Sequence, residues 1–131
     1  PGAGCGGGSA GEYIEVYNAS GVDIDLAGLS VSDLARNTFI SSSVTVAAGA
    51  YAVLEYAEDT PCIVSSDSSF PWATYDSVQL NDGGDEDIVL SFGDSELDRV
   101  EFTTSWPSSD GTSMQLNSSA SPTSWASTND A

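Results

Sequence analysis

The stretch that decides the fold is residues 11–33, which read GEYIEVYNASGVDIDLAGLSVSD. Its first part is rich in aromatic and β-branched residues and ends at Asn18, with Ser20 and Gly21 as turn residues. Ile24 and Leu26 then alternate with aspartates, which is the period-two pattern of a half-buried strand. The same alternation recurs after Gly28, where Leu29 and Val31 alternate with serines. Residues 11–33 therefore predict successive short β-strands joined by tight turns.

The rest of the chain repeats this pattern. Tyr51–Tyr56 is the most apolar stretch and is predicted to be a central strand. Further short strands are predicted at residues 38–40, 44–46, 88–92, 97–102 and 113–116. Residues 57–76 are predicted to be irregular. Residues 81–85 read NDGGD, which predicts a hairpin turn after the apolar residues Val78 and Leu80. No segment shows helical periodicity over two turns, so the fold class predicted is an all-β sandwich or barrel.

The length of 131 residues corresponds to one domain. We divide the chain into a glycine-rich N-terminal segment at residues 1–10, a β-sandwich at residues 11–116 and a polar C-terminal tail at residues 117–131.

The charge balance argues against binding to nucleic acids or membranes. The chain has 20 acidic residues, two arginines, no lysine and no histidine, and its formal net charge is −18. Nucleic acids and anionic membrane surfaces should repel it, because lysine and arginine supply most of the affinity for both. No apolar stretch approaches the roughly 20 residues that span a bilayer, so no membrane insertion is expected.

Enzymatic activity is not expected either. Catalytic triads need an imidazole base, and Schiff-base chemistry and phosphate-binding loops need a lysine. A pair of carboxylates could hydrolyse glycosides, but in so acidic a chain some pair always lies close, and the pattern carries no signal.

The two cysteines are Cys5 and Cys62. An even count in an acidic chain without lysine indicates one disulfide formed in an oxidising compartment, and two unpaired thiols are the alternative. The bond would hold the glycine-rich N-terminus against the irregular segment. It would close a loop of 56 intervening residues, which stabilises the fold by about 4 kcal/mol in the chain-entropy model.

Five motifs in order resemble one known family. Residues 11–18 and 22–33 are similar to its "GE-W/Y-IEL-YN" and "DLSGW-L-SD" patterns. Residues 46–54, VAAGAYAVL, resemble "IPAGGYLVL", residues 78–90, VQLNDGGDEDIVL, resemble "LSNSGDTVTL", and residues 111–116, GTSMQL, resemble "GxSLQR". The family is the lamin tail domain family, and the resemblance covers about residues 11–125.

This resemblance implies an immunoglobulin-like β-sandwich. Bacterial members occur as non-catalytic modules of secreted and surface proteins, and the motif residues are structural, so no catalytic residue carries over. Nuclear members have been linked to DNA and chromatin, but the net charge of this chain argues against that activity. We therefore expect an extracellular or cell-surface protein, of bacterial type.

Calcium is the one cofactor that the residues suggest. Ca²⁺ takes six to eight oxygen ligands, and Asp82, Asp85 and Asp87 cluster on the predicted turn with two glycines. A solvated hairpin tip is the alternative interpretation. Asp23 and Asp25 form a second, smaller group.

Three tryptophans suggest a second possible ligand, a sugar. Trp72, Trp106 and Trp125 all fall in predicted loops or in the tail, where tryptophan rings could stack on sugars. Aromatic residues at such positions more often cap the ends of a sandwich core.

Self-association is the function that we favour on sequence. Lamin tail domains open with an apolar strand before the "GEYIE" strand, and this sequence begins at Pro1, where that strand should have ended. We expect the place to be filled by a strand from a neighbouring surface protein or another copy, which builds filaments or surface layers. A polar loop over the edge, or a chain cut short, is one alternative. A Ca²⁺- or glycan-binding adhesion module of a larger secreted protein is the other.

The disulfide gives the first testable prediction. In native, non-reduced protein a thiol-labelling reagent should modify neither Cys5 nor Cys62, and both should become reactive after reduction. Labelling of both residues without reductant contradicts the assignment.

Overall fold

The chain forms β-strands and no helix within the part described by a computed structural model, which covers residues 12–33, 35–57, 71–80, 85–103, 112–116 and 125–129. The strands in chain order are β1 Tyr13–Tyr17, β2 Ile24–Asp25, β3 Ser30–Ser32, β4 Asn37–Phe39, β5 Thr45–Val46, β6 Tyr51–Tyr56, β7 Trp72–Tyr75, β8 Glu86–Phe92, β9 Ser95–Phe102, β10 Thr112–Leu116 and β11 Trp125–Asn129.

Two sheets form the body of the domain. One has the order β1-β6-β7, and the other has the order β4-β3-β8-β9. The short pair β2-β5 continues the β3-β4 ladder, because the Leu26 N–H donates to the Val44 carbonyl and the Gly28 N–H donates to the Ile40 carbonyl. All pairs are antiparallel except β6-β7, which is parallel. The prediction of an all-β, immunoglobulin-like sandwich is confirmed.

The core lies between the two sheets. Leu54 and Tyr75 project from the three-stranded sheet and are almost completely buried, and Val31 and Ile88 face them from the other sheet. In β7 the burial follows the period-two alternation of a half-buried strand, whereas four successive residues of β6, Ala52–Glu55, are buried. Strand β6 lies between two neighbours, so its central position is also confirmed.

Two local predictions are wrong. Residues 57–76, predicted to be irregular, contain strand β7. The C-terminal tail, predicted to contain no strand, contributes β11, which pairs with β10. The hairpin turn predicted at residues 81–85 lies outside the described residues except for Asp85; the described residues 78–80 before it form no strand.

The side chain of Asn18 fixes the end of β1 to the neighbouring turns. Its amide nitrogen donates to the carbonyl oxygens of Val22 at 2.8 Å and of Val46 at 2.9 Å. Its amide oxygen accepts from the N–H and the hydroxyl of Ser20. Asn18 is 6% exposed and Val46 is 1% exposed, so the bond between them has little access to water.

Asn18→Ala should therefore lower the free energy of unfolding by about 1–3 kcal/mol, because it removes the Asn18 donor from the buried Val46 carbonyl. Ser20→Ala is the matched control and should cost less than about 1 kcal/mol, since it removes bonds at an exposed position. Urea denaturation measures both values, and equal losses would contradict this role of Asn18.

The phenol of Tyr75 lies in an apolar and acidic environment. The residue is 1% exposed, and its hydroxyl has no hydrogen-bond partner among the described residues. Burial raises the pKa of Tyr75 above its ordinary value of 10.0, and the nearby Glu12, Tyr56, Glu86 and Glu55 raise it further. The neutral phenol is therefore the form that the fold accepts.

This shift predicts alkaline instability. Above pH 10.0 the unfolded chain loses the Tyr75 proton while the folded chain keeps it, so stability is complete below that pH and falls as pH rises. The loss from this residue approaches about 1.4 kcal/mol per pH unit. Tyr75→Phe should remove this part of the slope in denaturant titrations above pH 10.0, and the exposed Tyr17→Phe should keep it. Identical slopes in the two variants would contradict the assignment.

Candidate functional site: the edges of the three-stranded sheet

The candidate Ca²⁺ ligands are only partly within the described residues. Asp82 lies outside them, and Asp85 is exposed. Asp87 accepts a hydrogen bond from Arg99 Nη1 at 2.6 Å, so its carboxylate already has a counter-ion. Among the described residues no group of three histidine, cysteine, aspartate or glutamate side chains could hold a metal ion. The calcium site remains a prediction.

The second acidic group, Asp23 and Asp25, caps turns. Asp25 accepts hydrogen bonds from the Ser43 hydroxyl at 2.6 Å and from the N–H groups of Ala27 and Val44. The Ser43 bond, followed by the Ala27 bond, holds the pKa of Asp25 below its ordinary value. Asp23 accepts from the Ala48 N–H at 3.1 Å. These contacts explain both aspartates by loop structure.

Cys5, Cys62 and Trp106 lie outside the described residues, so the disulfide remains a prediction. Trp72 and Trp125, predicted to lie in a loop and in the tail, lie in β7 and β11. Trp72 is half-buried.

The outer edge of β1 has backbone groups that no described strand uses. The carbonyl of Glu12 accepts from the Tyr56 N–H, and Asn18 bonds Ala50 and Gly49 through its own backbone. Peptide groups alternate in direction along a strand, so Ile14 and Val16 also bond β6, and the intervening residues point their N–H and C=O groups the other way. No described strand pairs with that side. Glu15 and Tyr17 therefore present donors and acceptors to the outside.

Strand β7 is the opposite edge of the same sheet. The Pro71 carbonyl accepts from the Val53 N–H, and the Tyr75 carbonyl accepts from the Ala57 N–H. By the same alternation the peptide groups of Trp72 and Thr74 point away from β6. Within the described ranges no strand pairs with this edge either.

The edges of the four-stranded sheet are protected. Strand β4 is only three residues long. Strand β9 has a register irregularity opposite Leu90 and Ser91, and its side chains Glu96, Asp98, Arg99 and Glu101 are charged and exposed. Short edges, bulges and charges are the features that natural sheets use against edge-to-edge pairing. In contrast, β1 has the single exposed charge Glu15, and β7 has no charged residue.

An exposed aromatic pair lies beside the β1 edge. Tyr17 and Tyr51 are directly opposite each other in the β1-β6 register, and their ring centroids are 4.8 Å apart. They are 54% and 55% exposed, and Val22 nearby in sequence is 66% exposed. Sequence analysis missed this pair. The alternation of Tyr13, Glu15 and Tyr17 was the available signal, since it places all three side chains on the face opposite the core.

The described residues contain no helix long and apolar enough to cross a membrane. Comparison with known proteins found no match among curated proteins or solved structures. The model of one family, Lamin Tail Domain, matches residues 3–104. The match begins within the glycine-rich segment and ends before β10, so the motif at residues 111–116 lies outside it. It covers well over half of the chain, and the chain therefore belongs to the lamin tail domain family.

Proposed function

We propose that this protein is a non-catalytic, extracellular structural module that associates with other copies of itself by strand pairing. The observation that carries the proposal is the outer edge of β1, where the peptide groups of Glu15 and Tyr17 have no described partner. An extended strand from another molecule would satisfy these groups by continuing the sheet.

The edge alone gives a weak contact. Each net backbone hydrogen bond contributes about 0.5–1.5 kcal/mol, so about four bonds give about 4 kcal/mol, which corresponds to a dissociation constant near 1 mM. Exposed apolar side chains beside the edge add to this, and the Tyr17–Tyr51 pair supplies such a surface. The proposed contact therefore combines a backbone ladder with burial of this aromatic patch.

Net charge opposes association. Copies with a charge of −18 repel each other, and salt weakens that repulsion because the screening length falls to about 3 Å near 1 M salt. Backbone pairing and apolar burial are not weakened in the same way. Association is therefore expected to strengthen as salt is added.

Glycan binding is the second candidate, and the Tyr17–Tyr51 pair is the observation that favours it. Exposed aromatic rings supply a flat apolar surface with polar tips, which suits a sugar as well as a protein. Association of copies is preferred because it uses both the aromatic pair and the free backbone groups beside it.

Blocking one peptide group tests the proposal. Glu15→Pro removes an outward-pointing N–H while leaving the bonds of Ile14 and Val16 to β6, and proline is tolerated on edge strands. Glu15→Thr is the matched control, because it removes the same charge and keeps the N–H. Sedimentation velocity near 1 M salt, over rising protein concentration, should show association of wild type and Glu15→Thr and a monomer for Glu15→Pro.

Wild-type protein that stays monomeric at millimolar concentration would overturn the proposal, as would association of Glu15→Pro equal to that of Glu15→Thr. Cooperative urea unfolding of all three proteins confirms that the comparison is between folded domains.

A further inference from the structure

We propose that the partner of β1 is the free edge of β7 on the next copy, so that the three-stranded sheet continues from molecule to molecule in a head-to-tail filament. This inference rests on the proposed function and identifies the surface that completes it.

Strand direction is the first argument. Strand β1 is antiparallel to β6, and β6 is parallel to β7, so β1 and β7 run in opposite directions within one molecule. A second copy related by a simple translation therefore brings its β7 antiparallel to β1. The two edges form an ordinary antiparallel ladder without any rearrangement of the domain.

The length, regularity and charge of the two edges also favour this pairing. Strands β1 and β7 have similar lengths, five and four residues, and neither has a bulge. In this ladder the outward peptide groups of Glu15 and Tyr17 would lie opposite the outward peptide groups of Thr74 and Trp72. Since β7 has no charged side chain, its approach brings no new carboxylate to Glu15. A symmetric β1–β1 pair centred on Glu15 would instead oppose two carboxylates, which is destabilising.

The second sheet supports the same arrangement. The Thr38 hydroxyl donates to Asp76 Oδ1 at 3.0 Å, so β4 lies beside the end of β7 on one flank of the sandwich. The strand orders then place β1 and β9 on the opposite flank. Head-to-tail contact brings the β4 flank of one copy to the β9 flank of the next.

Charge favours contact between unlike flanks. Arg36, one of only two cationic side chains, immediately precedes β4; its side chain is 47% exposed and lies 3.9 Å from Asp33. The opposite flank has the exposed acidic side chains of Glu96, Asp98 and Glu101 on β9, of which Glu96 pairs with Arg99. A contact between unlike flanks therefore brings fewer like charges together than a contact between two β9 flanks does.

The arrangement is heterologous, because two different surfaces of the same chain meet. Such a contact repeats without closing when the rotation between copies does not complete a ring, and the product is a filament.

Complementary blocked variants test this pairing. Glu15→Pro has a blocked β1 edge and an intact β7 edge, and Thr74→Pro has the reverse, with Thr74→Val as its matched control. Near 1 M salt each proline variant alone should remain monomeric, and Thr74→Val should associate as wild type does. An equimolar mixture of the two proline variants should form heterodimers and stop there, because only one junction can form.

Each outcome has a separate meaning. If Glu15→Pro blocks association and Thr74→Pro does not, the β7 partner is wrong and the proposed function stands; dimers of Thr74→Pro alone would indicate β1–β1 pairing. If wild type does not associate, the proposed function itself is wrong. If either proline variant fails to unfold cooperatively, Glu15→Lys and Thr74→Lys replace them, since a lysine on an edge strand also opposes pairing. Polymers in the mixture of blocked variants would overturn the inference.

Discussion

The backbone of β6 is bonded on both sides, and the rest of the structure depends on this constraint. Its peptide groups alternate in direction, so that one set bonds β1 and the other set bonds β7. The same alternation places Ala52 and Leu54 in the core, against the second sheet. Because β6 uses one side of each neighbour, the other sides of β1 and β7 become the edges of the sheet. The core and the candidate site thus follow from one strand.

The two sheets differ in how their edges are protected. Strand β9 combines a bulge with exposed charges, and β4 is short. These features keep the four-stranded sheet from unwanted pairing. The three-stranded sheet lacks them at β1 and β7, although the chain has acidic residues in abundance. The near absence of charged residues from these two strands therefore does not reflect the composition of the chain. It is consistent with the proposal that the two edges pair with other copies.

Much of the fold could be predicted from the sequence, because alternation and turn residues are local signals. Strand β1 follows from its aromatic and β-branched residues, β6 follows from its continuous apolar stretch, and the burial of Val31 follows from a period-two pattern. Strand β7 was missed because it is only four residues long and is surrounded by proline, serine and aspartate, and its parallel pairing with β6 is not local. The glycine-rich motif at residues 81–85 is a local turn signal, and such a signal does not specify which strands pair. The Tyr17–Tyr51 contact depends on register, which no local pattern gives.

The most direct test of the account is amide hydrogen exchange along β1. In dilute protein at low salt, the amides of Ile14 and Val16 should be protected by β6, and those of Glu15 and Tyr17 should exchange rapidly. In concentrated protein near 1 M salt, Glu15 and Tyr17 should become protected as the edge takes a partner strand. Strong protection of Glu15 and Tyr17 already in the dilute monomer would show that the edge is covered within the molecule, and it would contradict the central claim.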